Sequence, residues 1–163
     1  MVAAFVTLLT TGACSSPAQP AARGASPSPG VTGDLACTST ITVAPLPTWA
    51  RAGFTPPDQS VAQVHGVDGS ILGVVFGDPL RAPNVAGHNN KILWVPKPLS
   101  GTAPSPEDPD LKIHAARNGS DDAIDLVIAG GPGPSIVDVP APGCWTFTLR
   151  WSGRTDRLAL RYR

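Results

Sequence analysis

The residues through which this chain could do nucleophilic, metal-ion or acid–base chemistry are Cys14, Cys37 and Cys144, the three histidines His65, His88 and His114, and the carboxylates. The histidines are 23 and 26 residues apart. Only a fold that gathers distant segments could make one site of them, and with an Asp such a site would suit a small secreted hydrolase or a ligand carrier. Singly, His65 at the end of an apolar run and His114 at an alternate strand position read as edge or solvent-facing residues. A blue-copper site needs His and usually Met just after its cysteine. Here Trp145-Thr146-Phe147-Thr148 follow Cys144 and the one Met is Met1. There is no Gly-x-Ser-x-Gly elbow, phosphate-binding glycine loop, His-Glu-x-x-His pair or Cys-x-x-Cys. Gly119-Ser120-Asp121-Asp122, with Asp108 and Asp110, brings carboxylates near one another in sequence but lacks the alternating ligand spacing of a calcium loop. The expectation is therefore no catalytic residue, no metal and no cofactor.

Two other groups suit binding rather than catalysis. Arg150, Arg154, Arg157, Arg161 and Arg163 crowd the last 14 residues, opposed nearby only by Asp156. On an alternating strand pair Arg150, Arg157, Arg161 and Arg163 share the wet face, a basic stripe for an acidic envelope component or another envelope protein. The same stripe would equally protect an edge strand from pairing with a second chain. His88, in Gly87-His88-Asn89-Asn90, precedes a strand holding Trp94; an outward Trp94 beside His88 would make an aromatic platform, an inward one a core residue. The chain balances 12 basic against 12 acidic residues, so nothing attracts it in bulk to nucleic acid.

The elements that would position these residues begin with an address. Residues 1–13 carry no charge, and their apolar run is too short to span a bilayer, which takes about 20 residues. The run ends Thr10-Thr11-Gly12-Ala13-Cys14, followed by Ser15-Ser16-Pro17, and resembles the lipobox of bacterial lipoproteins, in which the cysteine is lipidated and becomes the N-terminus. Thr11 stands where that motif usually has Leu, and no Lys or Arg precedes the run, as if translation began upstream of Met1. Residues 14–33 are Ala, Ser, Pro and Gly with Arg23 alone charged. They bury too little to offset their ordering entropy and read as a disordered tether. The expected location is the outer face of the cell membrane, held by the lipid. With Cys14 acylated, Cys37 and Cys144 remain as an even pair in a compartment that permits a disulfide.

From residue 34 onward the chain reads as one all-β domain, an antiparallel β-sandwich. Of 163 residues, 19 are Pro and 17 Gly, too many breakers for helical bundles. Short β-branched and aromatic runs recur between these breakers. Strands are expected at residues 38–44, 60–65, 71–76, 91–95, 111–116, 123–129, 144–151 and 156–162. In the seventh, Trp145, Phe147, Leu149 and Trp151 alternate with Thr146, Thr148 and Arg150, one face core and one wet. Ile92-Leu93-Trp94-Val95 and Leu126-Val127-Ile128 are apolar on both faces and read as central strands.

Three strings, Trp49-Ala50-Arg51-Ala52-Gly53-Phe54, Asn90-Lys91-Ile92-Leu93-Trp94-Val95 and the run from Gly133 to Trp145, resemble a family of actinobacterial secreted lipoproteins of unknown function. Pro140-Ala141-Pro142-Gly143-Cys144-Trp145 is also similar to the entry into the last hairpin of immunoglobulin-like bacterial modules. The resemblance implies fold and location and no chemistry. The sequence thus describes a lipid-anchored, non-enzymatic binding or envelope-interaction module, with the hydrolase or carrier as its rival.

Overall fold

The computed structural model describes Cys37, residues 41–99 and residues 108–163. The expected leader and tether, with Cys14, and residues 38–40 of the first expected strand lie outside the described residues.

The described residues form an all-β sandwich of two antiparallel sheets. One sheet holds β1 (Thr42–Pro45), β2 (Ser60–His65), β3 (Ile71–Val75), β4 (Lys91–Pro96) and β7 (Pro134–Ile136) in the order β1-β2-β3-β4-β7. The other holds β5 (Leu111–Arg117), β6 (Ala123–Ile128), β8 (Gly143–Trp151) and β9 (Arg154–Tyr162) in the order β6-β5-β8-β9. Period-2 alternation sends Trp145, Phe147, Leu149 and Trp151 of β8 and Leu158, Leu160 and Tyr162 of β9 inward. There they pack against Val64, Ile71, Val75, Ile92 and Trp94 of the facing sheet. Ser152 and Gly153 both have positive φ, 44° and 71°, the two-residue turn whose twist matches a tight hairpin between Trp151 and Arg154.

The wholly buried β3 has a second cause. Its outward residues Leu72 and Val74 are covered by Leu46, Trp49, Ala50 and Phe54 from the segment between β1 and β2, which carries a single 3-10 turn at Thr48–Ala50. Leu93 and Val95 of β4 join this satellite core, which is why β4 is apolar on both faces. The matching expectation for Leu126-Val127-Ile128 is overturned. β6 is an edge strand with Ile124, Leu126 and Ile128 against the core and Val127 64% exposed. β7, only three residues long and beginning at Pro134, is a strand that the sequence reading did not contain.

Cys37 and Cys144 form a disulfide, with Cα atoms 5.6 Å apart. Cys144 sits on the outward face of β8 opposite Arg161, so the bond joins the chain ahead of β1 to a central strand of the other sheet.

Candidate functional site

The three histidines do not meet. His65 ends β2 beside the β2–β3 turn, and its Nε2 donates to Gln63 Oε1 at 3.1 Å. His88 lies at the opposite end of that sheet, in the β3–β4 connection, where its Nε2 donates to Asn90 Oδ1 at 3.2 Å. His114 is on the outward face of the other sheet, paired across strands with Asp125 at 2.8 Å. Among the described residues no three His, Cys, Asp or Glu side chains gather in a way that could hold a metal ion. Asp108 and Asp110 precede β5 while Asp121 and Asp122 follow it, so a seven-residue strand, about 23 Å long, separates the acidic residues that the sequence brought near one another.

Trp94 is a core residue, 1% exposed, and its indole donates to Ser135 Oγ at 3.0 Å. The aromatic platform beside His88 is thereby excluded, because the ring points between the sheets. His88 instead belongs to a polar knot around the fully buried Asn90. The Asn90 amide donates to Arg81 O at 2.8 Å and to Asp138 Oδ1 at 2.7 Å, while its Oδ1 accepts from Arg81 N at 2.9 Å. These bonds tie the long β3–β4 connection to the segment after β7. Nearby, Tyr162 donates to Val137 O at 2.8 Å; burial, with the charge of Asp138 adding to it, pushes its phenol far above the ordinary range.

Asp156 does not share the outward face of Arg150, Arg157 and Arg161. It alternates with Leu158 and Leu160 and so points inward, fully buried, where it accepts from Asp68 N (3.0 Å), Ser70 N (2.8 Å), Ser70 Oγ (2.8 Å) and Arg157 N (2.7 Å). Burial alone would raise its pKa; the hydrogen bonds outweigh it and hold the carboxyl below the usual carboxylate value. Gly66 lies directly against it, and a methyl group there would collide with the Asp156 carboxylate.

Arg150, Arg157 and Arg161 project from the outward face of β8 and β9, as alternation predicts. None of the three makes an ion pair with a described residue. The neighbouring cations are paired: Lys112 with Asp108 at 2.7 Å, where each charge stabilises the other, and Arg117 with Asp122 at 2.6 Å. Register places Arg150 beside Lys112 and Arg157 beside Thr148, one diagonal step away on the same face. Arg154 leaves this stripe: its guanidinium lies 5.0 Å from the Trp151 ring centroid and donates to Lys97 O at 2.7 Å and Ser70 O at 3.2 Å.

That inward turn of Arg154 helps to form a groove of about 520 Å³ that the sequence reading did not contain. Its walls come from Pro96 at the end of β4 and residues 97–99 after it, Pro109 before β5, residues 130–132 between β6 and β7, and the β8–β9 hairpin. A smaller hollow of about 260 Å³ adjoins it, sharing Trp151, Ser152 and Arg154 and adding Asp108, Lys112 and Arg150. The sequence signals for this place are the density of Pro and Gly in four separate loops and the position of one of them, running from Pro96 to Pro109, directly after the central strand. No protein-family profile, curated protein or solved structure matches the chain, so its own residues are the basis for a functional reading.

Proposed function

We propose that the protein is a non-catalytic binding module of the cell envelope, anchored outside the membrane through a lipid on Cys14, and that its contact surface is the outward face of β8 and β9. The observation that carries this reading is the stripe of Arg150, Arg157 and Arg161, three guanidinium groups with no ion-pair partner among the described residues, beside β5, whose Lys112 and Arg117 are each paired with an aspartate. Exposed unpaired charge of one sign attracts a polyanion and contributes little to folding. The interior between the sheets is occupied by packed side chains, which supports display of a surface over enclosure of a substrate. The kinship with actinobacterial secreted lipoproteins and with the immunoglobulin-like sandwich type belongs to the same proposal, supported by the Pro142-Gly143-Cys144-Trp145 entry into β8.

The test has two arms. Cys14→Ser in cells, expressed from the authentic start, moves the protein from the membrane fraction to the soluble fraction; retention in the membrane removes the anchor. Purified domain sedimented with vesicles containing anionic lipid, or with isolated acidic wall polymer, loses binding when Arg150, Arg157 and Arg161 are changed together to Gln, and binding of the unaltered domain fades as salt is added. Equal sedimentation of the triple variant returns the arginines to edge protection.

A further inference from the structure

We propose that the groove at the β8–β9 hairpin binds a single-chain carboxylate amphiphile, its hydrocarbon chain in the groove and its head in the adjoining cationic hollow. This goes beyond the envelope-contact reading and requires neither Arg157 nor Arg161.

The groove has the size of a small-molecule site, about 300 to 1,000 Å³. Its walls select the ligand by what they lack. Pro96, Pro98, Pro109 and Pro132 have no N–H. The N–H groups of Gly130, Gly131, Lys97 and Ser152 are already given to Asp110 Oδ1, Ile128 O, Ser70 O and Asp108 O. A peptide main chain laid here would surrender its water hydrogen bonds and find few donors in exchange. A sugar would need an open aromatic face, but Trp151 is 4% exposed and its ring is covered by Arg154. A hydrocarbon chain has no hydrogen bonds to lose and gains by leaving water against Leu99 and the proline rings.

The hollow supplies the complementary end. Arg150, Arg154 and Lys112 line it against one carboxylate, Asp108, which Lys112 already neutralises. The hydroxyls of Ser152 and Thr155 also lie at its wall. An anion drawn there finds Arg150 unpaired, and Trp151, Ser152 and Arg154 line both spaces, which sets the head site and the chain site side by side. Charge complementarity at one end and donor-poor apolar walls at the other together define the amphiphile.

Calorimetric titration with dodecanoate below its micelle concentration tests the assignment, with acetate and dodecanol as probes of head and chain alone. Dodecanoate binds saturably at one per chain, acetate does not bind, and dodecanol binds about tenfold more weakly. Leu99→Glu, at a position 51% exposed, weakens dodecanoate at least about tenfold, while Arg150→Gln weakens dodecanoate and leaves dodecanol unchanged. Arg157→Gln with Arg161→Gln leaves both unchanged, which separates this site from the envelope-contact surface. Absence of saturable binding overturns the assignment, as does wild-type affinity in Leu99→Glu. Binding that appears only when residues 100–107 are replaced by Gly and Ser also overturns it, since the chain itself would then be the occupant.

Discussion

The carboxylate of Asp156 on β9 takes both the amide and the hydroxyl hydrogen of Ser70, each at 2.8 Å, and so joins the last strand of one sheet to the β2–β3 turn of the other. Arg154 donates to the carbonyl of the same residue at 3.2 Å. Ser70 is therefore held at its N–H, its hydroxyl and its carbonyl by residues of a single hairpin.

Replacing Asp156 by Ala leaves three backbone N–H groups and a hydroxyl without their acceptor in a buried place and should cost about 3 to 5 kcal/mol. Gly66→Ala attacks the same contact from the other partner and should cost about 1 to 3 kcal/mol, a typical overpacking penalty. Urea unfolding of both variants checks this. Because the two residues touch, the double variant should lose less than the sum of the single losses.

The lowered pKa of Asp156 has a pH signature. A carboxyl held below its unfolded value contributes stability that is complete above the unfolded value, about 3.9, and is lost as pH falls through the folded one. The difference in unfolding free energy between the native chain and Asp156→Asn should thus be constant from pH 7 to about 5 and shrink below about 4. A difference that grows on acidification would reverse the assignment.

Trp145 is fully buried, and its indole donates to Ala141 O at 3.0 Å. Trp145→Ala should cost about 3 to 5 kcal/mol by loss of transfer energy and by the cavity left behind. Thr148→Ala, three residues further along β8 on the outward face, should stay within about 0.5 kcal/mol. Thermal unfolding of the two distinguishes an inward from an outward position directly.

Asn90 spends both amide hydrogens and its oxygen inside the protein. Asn90→Ala should cost about 2 to 4 kcal/mol, since Arg81 N and O and Asp138 lose partners together. Hydrogen exchange at Arg81 and Ala82 should rise before that of β8, because the amide holds the β3–β4 connection rather than the core.

Non-reducing peptide mapping should return Cys37 and Cys144 in one linked peptide. On the chain-entropy model a bond closing a loop of this length, 107 residues in separation, contributes up to about 4 to 5 kcal/mol. Cys37→Ser should lower the unfolding midpoint by an amount that reduction of the native protein reproduces.

The strands were legible where two-residue alternation ran long. β2 falls at the expected residues, 60–65, and β5, β8 and β9 lie within a few residues of theirs. β7 was not legible, because three residues starting with Pro134 carry no period. β6 lies within one residue of its expected span, but it reads as central because Val127 breaks alternation; an exposed apolar residue on an edge strand looks the same in sequence as a buried one in the middle. The inward direction of Asp156 was legible, since it keeps step with Leu158 and Leu160, yet its sign made it look like a partner for the arginines. Its true partners, Asp68 and Ser70, are more than 80 residues earlier, a pairing that only the packing of the two sheets creates. The groove was hidden for the same reason, being assembled from four loops none of which has a motif.

The disulfide also decides where a pull on the molecule would be felt. Tension applied on the N-terminal side of Cys37 passes through sulfur into Cys144, and thus into β8, which is paired with β5 along six residues and with β9 along nine. It bypasses β1, an edge strand with four paired residues and β2 as its one neighbour in the sheet. With the bond intact the load enters the middle of a sheet; with it reduced, the same load would peel β1 from the edge, one pair at a time.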